Sequence, residues 1–223
     1  MNEKEIEAEI SFEFIRNQSG HAYAPIVGSG KNACILHYTV NNQICNDGEL
    51  LLMDFGAEYN NYAADCSRTI PVNGNFTPRQ AEIYDHLHKI FMDAIALMEP
   101  GRSMDEVHKT ICEWMKKFHV DIGLYSKKQL NEAKQESPLW FKYYMHGSGH
   151  SLGLDVHDLY DKQSKLAPGM VFTCEPGIYI PEENMGIRIE NDILITSEGN
   201  LDLMADIPSE RTQIEQLMAK RDE

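Results

Sequence analysis

The stretch LLMDFGAEYNNYAADCSRT, residues 51–69, predicts a β-hairpin that carries two aspartates. Residues 50–59 and 62–72 have the β-branched, aromatic and apolar composition of its two strands. Asn60 and Asn61 lie between them, and asparagine tolerates the positive φ that a two-residue hairpin turn demands. A turn of this length also fixes which residues of the two strands face each other.

The predicted register brings the two aspartates of this hairpin together. With Tyr59 facing Tyr62, Asp54 lies opposite Ser67 and diagonal to Asp65 on the same face. Such diagonal neighbours are about 7–8 Å apart at Cα. Without a cation between them the two carboxylates would repel each other, whereas leaning together they can share one metal ion or bridge two.

A second hairpin is predicted near the end of the chain. Residues 169–180 and 187–195 form its strands, and the loop PEENMG joins them. This longer loop leaves the register open. The simplest pairing sets Ile180 opposite Ile187.

In that register the second hairpin repeats the arrangement of the first. Glu175 lies opposite Asp192 and diagonal to Glu190 on one face. Pro176 has no N–H to donate to the ladder, so we expect a bulge or an edge position there, which would also redirect the Glu175 side chain.

The segment HGSGHSLGLDVHD, residues 146–158, lies between the hairpins and predicts a site loop. It holds three glycines and three histidines in thirteen residues, which is too irregular for a helix. Its glycines permit close backbone approach or positive φ; they are Gly147, Gly149 and Gly153. His150 can offer a neutral imidazole to a metal otherwise held by oxygen, and mixed oxygen and nitrogen ligands suit Mn, Co, Zn or Fe(II).

Together these blocks resemble the metallopeptidases with the pita-bread fold, and among them the proline-specific aminopeptidase P and prolidase family. HGSGHSLGLDVHD fits the signature of that family except at Ser148, where an aliphatic residue or threonine is usual. The flanking blocks DFGAEYNNYAADCSRT, EPGIY and RIEN also fit, and GSGKNACILHYT at 28–39 is similar to an early strand of the family. The resemblance implies an α+β pita-bread fold: a curved, mostly antiparallel sheet backed by helices, with internal pseudo-twofold symmetry.

The resemblance also implies a set of site residues. It assigns two divalent metal ions, manganese first, with cobalt, zinc or iron as alternatives, to five ligands: Asp54, Asp65, His150, Glu175 and Glu190. Asp65 and Glu190 would bridge the ions. Three further residues match the family's substrate-side histidines: His37, His146 and His157.

The expected chemistry is hydrolysis by a water that two cations make more acidic, with one ion also polarising the scissile carbonyl. Glu175 is the candidate proton acceptor, and His157 or His37 would stabilise the oxyanion. Arg188 shares a strand face with Glu190 and is expected to steady it. For Arg68 the sequence offers only the reading of a surface charge.

We expect residues 1–223 to form a single catalytic domain that lacks the N-terminal domain typical of the proline-specific members. The chain opens on an acidic amphipathic helix. Three later helices are predicted over 78–98, 104–118 and 210–218, with Thr77, Ser103 and Ser209 as their N-caps. Residues 125–137 read as an exposed loop, after which LWFKYYM is expected to return to the sheet.

Composition limits the partners. The formal net charge of −15 argues against nucleic acid and anionic membranes. No membrane span or secretory signal is evident, so a cytoplasmic location is expected. The five cysteines lack close-spaced pairs and suggest reduced thiols, with Cys66 and Cys174 packed away from the metals. The expected partners are peptides with proline at the second position, and a homodimer is left open.

Three functions compete at this point. The first is an aminopeptidase that releases the N-terminal residue of Xaa-Pro peptides, and the second is a prolidase-type dipeptidase. The third is an inactive fragment or a non-enzymatic binding module of the same fold. The full ligand set favours catalysis over the metal-free relatives, and Val156-His157-Asp158 favours the proline branch over the methionine aminopeptidases, whose segment ends in Phe-His-Glu.

Overall fold

The fold is known from a computed structural model that describes residues 1–133, 138–161 and 163–219. It is an α+β arrangement of short antiparallel strands backed by helices, as predicted. The strands are β1 (Gly20–His21), β2 (Ile26–Ser29), β3 (Leu50–Phe55), β4 (Ala57–Tyr59), β5 (Tyr62–Ala63), β6 (Cys66–Pro71), β7 (Val171–Cys174), β8 (Gly177–Ile180), β9 (Met185–Arg188), β10 (Asn191–Thr196) and β11 (Gly199–Asp202). The helices are α1 (Glu3–Arg16), α2 (Pro78–Leu97), α3 (Met104–Asp121), α4 (Lys127–Glu132) and α5 (Arg211–Ala219).

The register of the first hairpin is confirmed. Tyr59 pairs with Tyr62 and Asp54 pairs with Ser67. The turn residues Asn60 and Asn61 have φ of 51° and 62°, as a two-residue turn of this kind requires. The strands belong to two small sheets, of order β2-β3-β6 and β1-β4-β5.

The register predicted for the second hairpin is wrong by two residues. Ile178 pairs with Ile187, and Asp192 pairs with Thr173 instead of Glu175. The loop is shorter than the sequence suggested, because Asn184 adopts φ of 49° and closes the turn directly before Met185. A two-residue shift keeps every side chain on its predicted face.

Both hairpins are interrupted at the proposed ligands. β3 ends at Phe55, one residue after Asp54, and β6 begins at Cys66, so Asp65 lies in the gap between β5 and β6. In the second hairpin the gaps contain Glu175 with Pro176 on one side and Glu190 on the other. Because Pro176 cannot donate to a ladder, a break there is the expected result. Glu190 instead forms an isolated antiparallel bridge with Ser67, which joins the two hairpins.

The long helices begin where the sequence predicts. Thr77 caps α2 and Ser103 caps α3, each in a reciprocal capping box. The inner stripe of α3 is buried and packs with α2 in the main core; its predicted members are Val107, Ile111, Met115 and Phe118. Burying an apolar side chain of this size stabilises the fold by roughly 1.5–3 kcal/mol. The helix pair thus forms a firm backing for the hairpins.

Three local predictions are wrong. Residues 125–137 contain α4, which Ser126 caps, although 134–137 lie outside the described residues. LWFKYYM forms the 3₁₀ turn Leu139–Lys142, which follows Pro138, and it forms no strand. Its aromatic side chains pack against the main core from this turn. The early strand in 28–39 ends at Ser29, where Gly30 with φ of 54° starts a 3₁₀ turn.

The C-terminal helix starts one residue later than predicted, at Arg211. Ser209 does not cap it in the expected way, and its Oγ lies 3.1 Å from His88 Nε2. All five cysteines are free thiols, as expected, and Cys66 and Cys174 are buried. Among the described residues no helix is both long and apolar enough to cross a membrane.

Candidate metal centre

The interrupted hairpins and the loop 146–158 enclose a cavity of about 620 Å³. All nine residues singled out from the sequence line it; they are His37, Asp54, Asp65, His146, His150, His157, Glu175, Arg188 and Glu190. The hairpin breaks explain the gathering of carboxylates. A regular ladder alternates its side chains, whereas each break lets an acidic side chain turn toward the partner hairpin.

Three of the predicted ligands lie especially close together. Asp65, His150 and Glu190 each offer a ligand atom, and these atoms lie within 4.8 Å of one another. His150 Nε2 is 3.3 Å from Asp65 Oδ2 and 4.0 Å from Glu175 Oε1. Imidazole nitrogen and carboxylate oxygen form a donor set suited to first-row divalent metals.

His150 is aimed at the carboxylates by its own backbone. Its N–H donates to Thr173 Oγ1 at 3.1 Å, and its ring Nδ1 lies 3.1 Å from the Ser151 carbonyl. With Nδ1 occupied in this way, Nε2 is the atom left for a ligand. The loop approaches β7 so closely at Gly149 that a Cβ there would lie 2.0 Å from the Thr173 carbonyl oxygen. Glycine at this position therefore serves close approach and not positive φ.

A tyrosine that the sequence analysis missed links the two aspartates. The Tyr23 hydroxyl donates to Asp65 Oδ1 at 2.5 Å and to Asp54 Oδ1. Burial, with the neighbouring carboxylates, raises the pKa of Tyr23 well above its ordinary value, so the hydroxyl remains a donor. Its position in HAYAPIV carries no motif, and only its place between two ligand residues in space reveals it.

Arg188 contacts Asp54 more closely than Glu190. Its Nη2 donates to Asp54 Oδ2 at 2.5 Å, while its Nε lies 4.0 Å from Glu190 Oε2. The same Nε donates to Ser67 Oγ at 2.8 Å, and Ser67 Oγ donates to Glu190 Oε2 at 2.7 Å. Arg188 therefore reaches Glu190 mainly through the Ser67 hydroxyl, a link that the sequence analysis did not identify.

The buried acids of this cluster repel one another strongly. Burial raises the pKa of Glu175 to about 7, and it raises that of Glu190 well above its ordinary value, with Asp65 and the other acids adding to the rise. Burial also raises the pKa of Asp54, against the opposing effect of Arg188. Such an arrangement is costly without cations, and divalent ions would relieve it. The residues present thus fit a metal centre.

A further acid, absent from the sequence predictions as a site residue, lies behind Asp65. Asp192 Oδ2 accepts the Asp65 backbone N–H at 3.1 Å. Its Oδ1 is buried and has no hydrogen-bond partner among the described residues. Burial raises the pKa of Asp192 to about 7. It holds the Asp65 backbone in place without itself lining the cavity.

The three substrate-side histidines lie at different depths. His146 Nε2 is 2.8 Å from the Tyr179 hydroxyl, and burial, with the nearby Arg188, lowers the pKa of His146 to about 3. His157 is exposed, and its ring packs edge-on against His150 with centroids 4.2 Å apart. His37 is exposed at the cavity wall. His146 therefore stays neutral near pH 7.

Tyr179 extends this set of contacts in a way the sequence analysis did not anticipate. Its hydroxyl accepts from Arg188 Nη1 at 2.9 Å and lies beside His146. His146 Nδ1 in turn lies 2.7 Å from the Gly147 carbonyl and 3.5 Å from Glu175 Oε2. The block EPGIY, which contains Tyr179, was the available signal.

Comparisons with known proteins agree with this geometry. The profile of metallopeptidase family M24 matches residues 1–197. The Xaa-Pro aminopeptidase of Haemophilus influenzae is 43% identical over 97% of this chain and 53% of its own length. The proline aminopeptidase P II of Yersinia pestis superimposes with a TM-score of 0.92 at 41% identity, over 99% of this chain and 53% of that one.

A third relative is a zinc-substituted aminopeptidase P of E. coli in complex with product, with a TM-score of 0.91 at 40% identity. The match covers 99% of this chain and 52% of that one. The chain therefore spans about half the length of the relatives it matches, and their fold is the one observed here.

Proposed function

The chain belongs to metallopeptidase family M24, and we propose that it is the catalytic domain of an aminopeptidase that cleaves the bond between an N-terminal residue and a following proline. The proposed substrates are peptides with proline at the second position. The observation that carries the proposal is that four acids and His150 line one cavity, with ligand atoms of Asp65, His150 and Glu190 within 4.8 Å of one another. The similarity to Xaa-Pro aminopeptidases supports the choice of substrate.

In the proposal two divalent ions, manganese in the first place, are held by five residues: Asp54, Asp65, His150, Glu175 and Glu190. Asp65 and Glu190 would be the residues that hold both ions. When bound, the ions supply Lewis acidity, which lowers the pKa of water and polarises the scissile carbonyl. The short distance between Asp65 and His150 and the raised pKa of the acids support this ligand set.

Glu175 is the proposed proton acceptor. Its carboxylate lines the cavity, where it can take a proton from the attacking water and return it. It lies 3.5 Å from His146 Nδ1, so an adjacent neutral imidazole can orient the carboxylate. The proton would pass from the attacking water to the proline nitrogen as the peptide bond breaks.

The histidines of the cavity are proposed to bind the peptide. His157 and His37 are exposed at the cavity wall and are assigned to the developing oxyanion. The Tyr179 hydroxyl, 2.8 Å from Nε2, holds the His146 ring in place, and His146 is proposed to bind the peptide next to Glu175. Arg188 holds Asp54 and, through Ser67, Glu190.

The first experiment measures metal content by mass spectrometry after manganese addition and desalting. The chain is compared with Asp65→Ala and with the surface control Asp93→Ala, whose carboxylate pairs with Lys89 on α2. We expect about two ions per chain, retained in the control and lost in Asp65→Ala. A chain that retains no metal would favour the non-enzymatic module instead.

The second experiment compares substrates on the manganese-loaded chain. Release of the first residue from Xaa-Pro-Yaa, with Xaa-Ala-Yaa left intact, is the expected result. Cleavage of the dipeptide Xaa-Pro alone would replace the proposal with a prolidase-type dipeptidase. We further propose that residues 1–223 act as one catalytic domain in the cytoplasm, and that a homodimer, if present, will appear in sedimentation of the purified chain.

A further inference from the structure

Arg68, three residues after Asp65, is buried and not the surface charge that its sequence suggested. Only 5% of its surface is exposed. Its guanidinium uses all five of its N–H donors. The acceptors are Pro208 O for Nε (2.9 Å), Ser67 O (2.9 Å) and Glu190 O (2.7 Å) for Nη1, and Asn191 Oδ1 (2.7 Å) and Ile207 O (3.1 Å) for Nη2.

These five acceptors are neutral oxygens, so Arg68 acts through geometry more than through an ion pair. They come from three separate segments: β6, the break before β10 with the first residue of that strand, and the segment 207–209 that precedes α5. A planar fork of five donors can hold three segments in fixed relation, whereas a lysine with one nitrogen cannot. Arg68 is therefore a clamp at the place where the segments meet.

Glu190 depends on this clamp more than its neighbours do. It lies in the gap between β9 and β10, where its own hairpin provides no ladder pair. Its backbone N–H donates to Ser67 O at 3.1 Å, its carbonyl accepts from Arg68, and its side chain accepts from Ser67 Oγ. Loss of the Arg68 contact would free the carbonyl of Glu190 to rotate, and with it the carboxylate.

The segment 207–209 connects the Arg68 contacts to the C-terminal helix α5. Tyr84 donates its hydroxyl proton to the Ser209 carbonyl at 2.7 Å, and Arg211 pairs with Asp85 at 2.9 Å. Ile214 of α5 is 4% exposed and belongs to the main core. The carbonyls that Arg68 binds are thus held in place by a docked helix.

We propose that Arg68 is a positioning residue that couples the docking of segment 207–209 and α5 to the orientation of Glu190, and thereby sets the affinity of the metal centre. The inference rests on the proposed function, in which Glu190 is a metal ligand. By reciprocity, metal binding must also tighten the docking of the C-terminal helix.

The test compares manganese affinity in Arg68→Lys, Arg68→Met and the control Tyr84→Phe, each with its melting temperature. Loss of a residue that orients a metal ligand typically weakens affinity about 10- to 100-fold. We expect that loss in both Arg68 variants. Tyr84→Phe loosens the same segment but leaves the Arg68 contacts intact, and a smaller loss is expected there.

Several results would overturn the inference. Wild-type affinity in Arg68→Lys would mean that charge and not geometry matters. Equal losses of affinity in Arg68→Met and Tyr84→Phe at equal loss of melting temperature would mean general destabilisation. If the Arg68 variants do not fold, hydrogen exchange of the wild-type chain decides: manganese must slow exchange in 207–219, and unchanged exchange there refutes the coupling.

The two proposals can fail separately. A wild-type chain that binds no manganese overturns the proposed function and this inference with it. A wild-type chain that binds manganese and cleaves Xaa-Pro peptides, while the Arg68 variants bind manganese equally well, overturns the inference alone.

Discussion

Removing the charge of Glu175 should change how the stability of the metal-free chain depends on pH. Burial raises the pKa of Glu175 from 4.5 to about 7 in the folded state. The folded chain therefore holds this proton at pH values where the unfolded chain has released it. The contribution of protonated Glu175 to the unfolding free energy is therefore fully present below pH 4.5 and is lost as pH rises through about 7.

The size of the effect follows from the same two values. One pKa unit corresponds to about 1.36 kcal/mol, so the full change is about 3 kcal/mol, of which about 2 to 3 kcal/mol falls between pH 5 and pH 8. Glu175→Gln keeps the shape of the side chain but cannot ionise. Between these pH values the chelator-treated wild type should lose that much more unfolding free energy than the variant.

Urea unfolding at pH 5 and pH 8, after removal of metal, measures the difference. Manganese at about 100 times its Kd should restore roughly 2.7 kcal/mol to the wild type at pH 8. Parallel pH dependences of the wild type and Glu175→Gln would refute the reasoning, because Glu175 would then titrate alike in the folded and unfolded states.

Three further predictions test other parts of the structure. Tyr23→Phe removes the donor shared by Asp54 and Asp65 and should weaken manganese binding about 10- to 100-fold in a metal titration. Burial lowers the pKa of His119 to about 3, below the 6.5 of the unfolded chain, so the stability that the neutral ring contributes is lost as pH falls below 6.5. Between pH 7 and pH 5 the wild type should therefore lose about 2 kcal/mol more unfolding free energy than His119→Phe, as measured by urea unfolding. Gly149→Ala drives a Cβ into the Thr173 carbonyl and should cost about 3 kcal/mol of unfolding free energy, while Gly147→Ala, with 3.9 Å to its nearest neighbour, should cost little.

The first hairpin could be predicted closely because its turn has only two residues. Asn60 and Asn61 permit one pairing, and the positions of Asp54 and Ser67 follow from it. The second hairpin has a longer loop, and the sequence PEENMG does not predict that Asn184 adopts positive φ and closes the turn there. Glu175 and Glu190 nevertheless line the same cavity, and a shift of two residues moves no side chain of the ladder to the other face.

Long-range polar contacts were not predictable in the same way. Tyr23 meets Asp54 across 31 positions of sequence, and Arg68 meets Pro208 across 140. No local period or turn signal links residues so far apart. Arg68 also shows why a charged residue in a polar stretch is easily misjudged: its acceptors are mostly backbone carbonyls, which every sequence provides.

The charges of the cavity bear on how many ions the proposed centre holds. Four of the six carboxylates that line it are proposed ligands, and together with Arg188, the one lysine or arginine among the lining residues that the structure describes, they form a cluster with a formal charge of −3 when the histidines are neutral. One divalent ion would leave −1, and two would leave +1. A hydrolytic site must stabilise negative charge that develops on the carbonyl oxygen, and a positive balance on the ligand cluster does so far better than a negative one. Two ions are therefore the number that suits both the stability of the acid cluster and the proposed reaction.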